Sequence, residues 1–133
     1  MLGYCPYCDS HEAPSPNSDT SIINLELGGP SSEEALEILT QHIRAASDIQ
    51  IRVLIVIHGY GSSGKGGSIR RTVREALENN YFSDRVDEYY LGEDLIHRSE
   101  LYQALIKRRP TIKQYLKQFR EGNAGMTLLL MRH

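Results

Sequence analysis

Cysteine is nearly absent from this 133-residue chain: two residues, Cys5 and Cys8, stand three positions apart in CPYCDSH. Thiols that close along the backbone cannot staple a fold, so a disulfide framework is excluded. Long apolar runs are missing as well. Nothing approaches the roughly 20 residues that a membrane helix needs, and the opening MLGYCPYCDSHE lacks the apolar core of a secretory signal. The expectation is a cytoplasmic protein with no membrane partner. Excess charge of one sign is also lacking. Fifteen Lys and Arg against 17 Asp and Glu leave a formal net charge of −2, which excludes a protein that coats nucleic acid through bulk charge and confines any such binding to a local patch. The length suits one domain with a single core, and no internal repeat is visible.

Residues 1–20 read as a Cys-containing tail and linker, because Pro14, Pro16, Asn17, Ser18 and Asp19 offer nothing to bury. The two thiols leave three readings. They are a reduced and structurally idle pair; or part of a zinc site with His11 in C-x2-C-x2-H; or a redox pair, since CPYC resembles the glutaredoxin motif. That motif needs a strand before it and a helix after it, and this segment supplies neither.

Ordered structure is expected over 21–133. In IINLEL the alternation of Ile23, Leu25 and Leu27 with Asn24 and Glu26 predicts a half-buried strand, ended by Gly28-Gly29-Pro30. Ser31 with Glu34 makes a capping box, and Leu36, Leu39, Ile43 and Ala46 fall on one helical stripe. The run VLIVI after Arg52 is apolar throughout, as in a strand covered on both faces. Ile69, Val73, Ala76 and Leu77 mark a second amphipathic helix that stops at Asn79-Asn80. Strand, helix, strand, helix implies a parallel βαβ unit with a right-handed crossover. Residues 85–91 form a weaker strand pattern. Residues 94–120 are expected to be helical in two pieces broken at Arg109-Pro110, and MTLLLM is a final strand. Five acidic side chains crowd residues 84–94, and seven basic ones crowd 98–120; the Lys107-Arg108-Arg109 cluster suits either a solvated helix face or a polyanion.

The most informative segment joins these elements. In VLIVIHGYGSSGKGGSIR an apolar strand feeds a loop rich in glycine and then a helix. Such a junction gathers free backbone N–H groups and the positive end of a helix dipole, which suits phosphate. Gly59, Gly61, Gly64, Gly66 and Gly67 permit close backbone approach; Lys65 in mid-loop, then Arg70 and Arg71, supply positive charge. The string Gly59 to Lys65 fits G-x4-G-K, the front of a nucleotide-binding P-loop, but Gly66 stands where that loop needs Ser or Thr to hold magnesium. A nucleotide-binding enzyme is therefore one alternative.

More of the chain fits another pattern. His58-Gly59-Tyr60-Gly61 followed by Ile69-Arg70, a preceding strand that ends in Gly-Gly, and a closing Gly122-Asn123-Ala124-Gly125-Met126-Thr127 together resemble the Smr (small MutS-related) domain family. The resemblance covers about residues 22–91 and 122–132, with 94–120 inserted before the last strand. It implies an α/β fold: a two-layer sandwich with a mixed sheet of about four strands, a βαβα core and the inserted helical segment. It further implies binding of RNA or DNA, with endonuclease activity in some members and Mg or Mn as the metal for cleavage. Residue by residue, His58 becomes an acid or base at a phosphodiester. Glu26 becomes the group that orients it or holds metal, and Thr127 a phosphate contact. The departure falls on the first strand: aligned on Leu25 to Gly29, the family aspartate is Glu26 and the family histidine is Gly28. A chain with this change can bind without cutting, and a non-catalytic protein-interaction module is the remaining alternative.

Overall fold

The computed structural model describes residues 19–59, 65–117 and 122–132, with the backbone alone at positions 65 and 66. Strands β1 (Thr20–Asn24), β2 (Val53–Ile57), β3 (Val86–Leu91) and β4 (Met126–Met131) form one mixed sheet in the order β1-β2-β4-β3. β1 runs parallel to β2, with Ile23 opposite Val56, and β4 runs antiparallel to both β2 and β3. The strand latest in sequence is thus central. All six residues of β4 are buried, as are Val53, Leu54, Ile55 and Val56; a strand covered on both faces has no polar side to alternate with. Asp87, Glu88 and Tyr89 are exposed on the edge strand β3, where the pairing with β4 shifts register between Val86 and Glu88.

β1 stops earlier than the alternation of IINLEL predicts. Asn24 Oδ1 accepts a hydrogen bond from the Glu26 N–H at 2.9 Å and turns the chain. Leu25 keeps one further link, donating its N–H to Ile57 O at 2.8 Å, and its side chain joins Ile23 in the core. Leu27, predicted on the same face, falls in the turn and is only half-buried.

Helix α1 (Ser32–Asp48) begins at the predicted capping box. Ser31 Oγ accepts from the Glu34 N–H at 3.1 Å, and the Glu34 carboxylate accepts from the Ser31 N–H at 2.8 Å. A cap of this kind stabilises a helix by about 1 kcal/mol. Leu39, Ile43 and Ala46 are buried as predicted, and Leu36 packs at the margin. Ala35 and His42 join them; His42 Nε2 lies 3.1 Å from Ser21 Oγ. Helix α2 (Lys65–Glu78) already includes Lys65, which the sequence placed in mid-loop. Its Ile69, Val73 and Leu77 pack with α1 against Leu54, Val56, Leu129 and Met131. This is the expected βαβα core, one helical layer on one sheet face.

The inserted segment covers the other face. Helices α3 (Glu100–Arg108) and α4 (Ile112–Leu116) break at Arg109-Pro110, as proline dictates. Leu95, Tyr102, Leu105 and Ile112 pack on Val53, Ile55, Leu128 and Leu130. The insertion thereby adds a third layer to the two-layer core. α3 starts later than residue 94: Gly92–Asp94 is a single 3-10 turn, and Ser99 caps the helix by accepting from the Tyr102 N–H at 3.1 Å. Among the described residues, no helix is long and apolar enough to cross a membrane.

Candidate functional site

The antiparallel placement of β4 brings the end of β2, the start of β4 and the end of β3 together. His58 and Gly59 leave β2 there, and both of their N–H groups donate to Gly125 O, at 2.9 and 3.0 Å. Thr127 stands opposite Leu91 of β3, two residues before Glu93. α2 enters at the same end and carries Arg70 and Arg74 one turn apart.

His58 is fully buried. Its Nδ1 lies 3.0 Å from Gly59 O, and its Nε2 2.8 Å from Thr127 Oγ1. A carbonyl can only accept, so Nδ1 carries the proton and Nε2 accepts from the Thr127 hydroxyl. Burial lowers the imidazole pKa from 6.5 to about 4, against the pull of the Gly59 carbonyl, and the guanidinium charges of Arg74 and Arg70 lower it further. The ring is therefore neutral at physiological pH, and both nitrogens are engaged inside the protein. His58 does not face solvent, and the hydroxyl of Thr127, also fully buried, donates to His58.

Glu26 does not orient the imidazole, whose partners are Gly59 and Thr127. Its exposed carboxylate instead lies over the backbone of Gly59, where a β-carbon would collide with it. Gly59 also adopts φ +83°, a conformation that calls for glycine, whereas the Glu26 carboxylate ends a flexible exposed side chain. Gly28 has φ +82° and open space around it.

The positive charge of α2 divides in two. Arg70 and Arg74 both reach Glu93, Arg70 at 3.4 Å, so one carboxylate holds two guanidinium groups. The charged partners and hydrogen bonds hold the Glu93 pKa below its ordinary value despite partial burial. Arg71 is exposed. Sequence reasoning singled out Arg70 and Arg71 as neighbours but missed Arg74 and Glu93; the i, i+4 spacing of Arg70 and Arg74 was the available signal. Gly67 opens the described side of the loop junction within α2. Gly61 and Gly64 lie outside the described residues, as do the side chain of Lys65 and the surroundings of Gly66.

Cys5, Cys8 and His11, the expected partial zinc site, also lie outside the described residues. Among the described residues, no three His, Cys, Asp or Glu side chains come together as metal ligands would. The basic cluster 107–109 is partly balanced in space: Arg108 reaches Glu88 at 2.7 Å and Asp87 at 3.6 Å.

A mixed four-stranded sheet whose central strand delivers its chain through a glycine loop into a helix N-terminus defines an α/β domain with its candidate site at that strand end. Comparison with protein families gives the family itself. The profile described as Smr domain matches residues 25–94, more than half of the chain, and the chain belongs to the Smr domain family. Among solved structures, the crystal structure of the Smr domain of Thermus thermophilus MutS2 is similar over 86% of this chain and 98% of that chain, with a TM-score of 0.50 and 21% sequence identity. That likeness speaks for the fold alone. No curated protein matches the chain.

Proposed function

We propose that this Smr domain binds RNA or DNA through the phosphate backbone at the glycine-loop end of its sheet, and that binding, not cleavage, is its function. The observation that carries the reading is the cationic face of α2: Arg70, Arg71 and Arg74 lie on the helix that follows the glycine loop, and the positive end of its dipole faces that loop. Arg71 is exposed for direct contact, whereas Arg70 and Arg74 are held in place by Glu93. The enclosed, neutral His58 supports a positioning role, fixing the first residues of the loop on β4 through Gly125 and Thr127. Glycine at position 28 removes the histidine that the family motif carries on its first strand.

Fluorescence anisotropy with labelled single-stranded RNA and double-stranded DNA tests this, with gel analysis of the same samples in Mg and Mn. Binding is expected to weaken steeply with salt, and Arg71→Gln is expected to weaken it for every sequence while lowering the salt slope by about one. Intact substrate in both metals is the expected gel result. Salt-insensitive binding, or none, overturns the binding reading; cleavage that Arg71→Gln slows overturns the assignment to binding alone.

A further inference from the structure

The inserted helices present solvent with charge of one sign. Arg98 just ahead of α3, Lys107 within it, and Lys113 and Lys117 on and after α4 are all exposed. Among the described residues, no ion pair engages any of the four. Arg108 and Arg109 do not belong to this set, because Arg108 is held by Asp87 and Glu88 and Arg109 is engaged as well. Glu100 is the one acid on α3 and α4. The chain has acids to spare, with a net charge of −2 overall and four acidic side chains against Arg44 on α1. A surface that needs only water intersperses both signs; this one does not.

The same cations lie along a path that starts near the candidate site. β3 ends at Leu91, just before the Glu93 that holds Arg70 and Arg74, and the Gly122 N–H ties the next segment down by donating to Leu95 O at 3.3 Å. α3 then runs back along the sheet until Arg108 meets Asp87 and Glu88 near the start of β3. Arg98 therefore stands at the glycine-loop end and Lys107 at the far end of a helix about 13 Å long. Lys113 and Lys117 are one turn apart, about 6 Å along the axis of α4. Lysine meets phosphate as a point charge on a flexible stem, which suits a repeating backbone more than one fixed ligand. Protein interfaces are poor in lysine and gather an apolar centre, whereas Leu101 is the one large apolar side chain exposed on these two helices.

We propose that this outer face is a second nucleic-acid surface, on which the phosphate backbone of RNA or DNA continues past the glycine-loop end and along the inserted helices. It extends the nucleic-acid reading above and rests on it. Contacts here are independent of sequence, each lysine releasing counterions from the strand. A strand long enough to reach from Arg71 to the lysines gains affinity that a short one cannot.

Anisotropy of the full chain with single-stranded RNAs of about 5 and about 20 nucleotides, at several salt concentrations, separates the two surfaces. Wild type is expected to bind the long strand more tightly. Lys107→Gln/Lys113→Gln/Lys117→Gln should weaken the long strand about tenfold and lower its salt slope by about two, with the short strand unchanged. Full affinity for the short strand also shows that this variant is folded. Lys107→Arg/Lys113→Arg/Lys117→Arg should bind as wild type does, and Arg71→Gln should weaken both lengths. A long strand that binds the glutamine variant as tightly as wild type overturns the proposal, and so does a loss shared equally by both lengths. Polyglutamate that binds these lysines more tightly than the long RNA overturns it in favour of an acidic protein. If Arg71→Gln is silent while the lysine variant loses the long strand, the glycine-loop reading fails and the lysine surface stands.

Discussion

His58 and Thr127 stand 69 positions apart in sequence and share one hydrogen bond, 2.8 Å from Nε2 to Oγ1, which ties the end of β2 to the start of β4. Neither residue reaches solvent. The candidate site is therefore built on a neutral polar pair whose protonation state is set by the fold.

Stability should fall on mild acidification because of this pair. The unfolded chain takes up a proton on His58 near its ordinary pKa of 6.5, while the folded chain refuses it until about pH 4. Between those values the unfolded state binds more protons, so stability declines as pH falls, by a total of order 3 kcal/mol for this residue. Glu88 and Glu93 are both held below the ordinary carboxylate value, so their contributions disappear only at lower pH. Urea denaturation across the window should show the decline in wild type and a flatter profile in His58→Gln. Equal profiles would sink the assignment.

Removing the hydroxyl of Thr127 tests the pair from the other side. Thr127→Val fits the strand but leaves Nε2 buried without a donor, a loss of about 1–3 kcal/mol. Thr127→Ser keeps the donor and should lose much less. Chemical denaturation of the two variants separates the hydrogen bond from the packing.

Gly59 should resist substitution because of its backbone rather than its neighbour. Its φ of +83° penalises any L side chain by about 1 kcal/mol or more. The Glu26 carboxylate, although in the way, ends a flexible exposed side chain and can swing aside. Gly59→Ala is therefore expected to be equally costly in wild type and in a Glu26→Ala background. A double-mutant cycle with strong coupling would show instead that Glu26 is held firmly over the loop.

What could be read from the sequence follows from how local each determinant is. The Ser31–Glu34 cap, the break at Pro110 and the apolar β2 depend on a few consecutive residues, and all three are found where the pattern puts them. The burial of His58 depends on Gly125 and Thr127, and nothing near His58 announces that β4 will lie beside it. Arg74 escaped notice because its role needs Glu93, which arrives from the end of a different strand. The acidic and basic runs look separate in sequence, yet Arg108 joins them in space. Strand β1 was overextended because a side-chain turn at Asn24 overrides an alternation that continues past it.

Glu93 should restrain the nucleic-acid affinity that its two arginines offer. Neutralising it in Glu93→Gln frees charge on Arg70 and Arg74 at the proposed contact surface. Affinity is expected to rise and the salt slope to steepen by about one, while stability falls by about 1 kcal/mol with the loss of a partly exposed ion pair. Anisotropy at several salt concentrations, beside a thermal melt, reads both. Affinity that drops along with stability would mean that Glu93 positions the arginines rather than masking them.

The central position of β4 also sets the timing of folding. A chain emerging in order from a ribosome presents β1, β2 and β3 before the strand that lies between β2 and β3 exists, so β3 has no partner in the sheet until residues 126–131 have been made. Until then the apolar residues of β2 and of the inserted helices wait without the surface they will cover. The domain is thus obliged to fold after synthesis of its last strand, through contacts distant in sequence and correspondingly slow to form, and a chain interrupted before Met126 would leave an open sheet edge available to other chains.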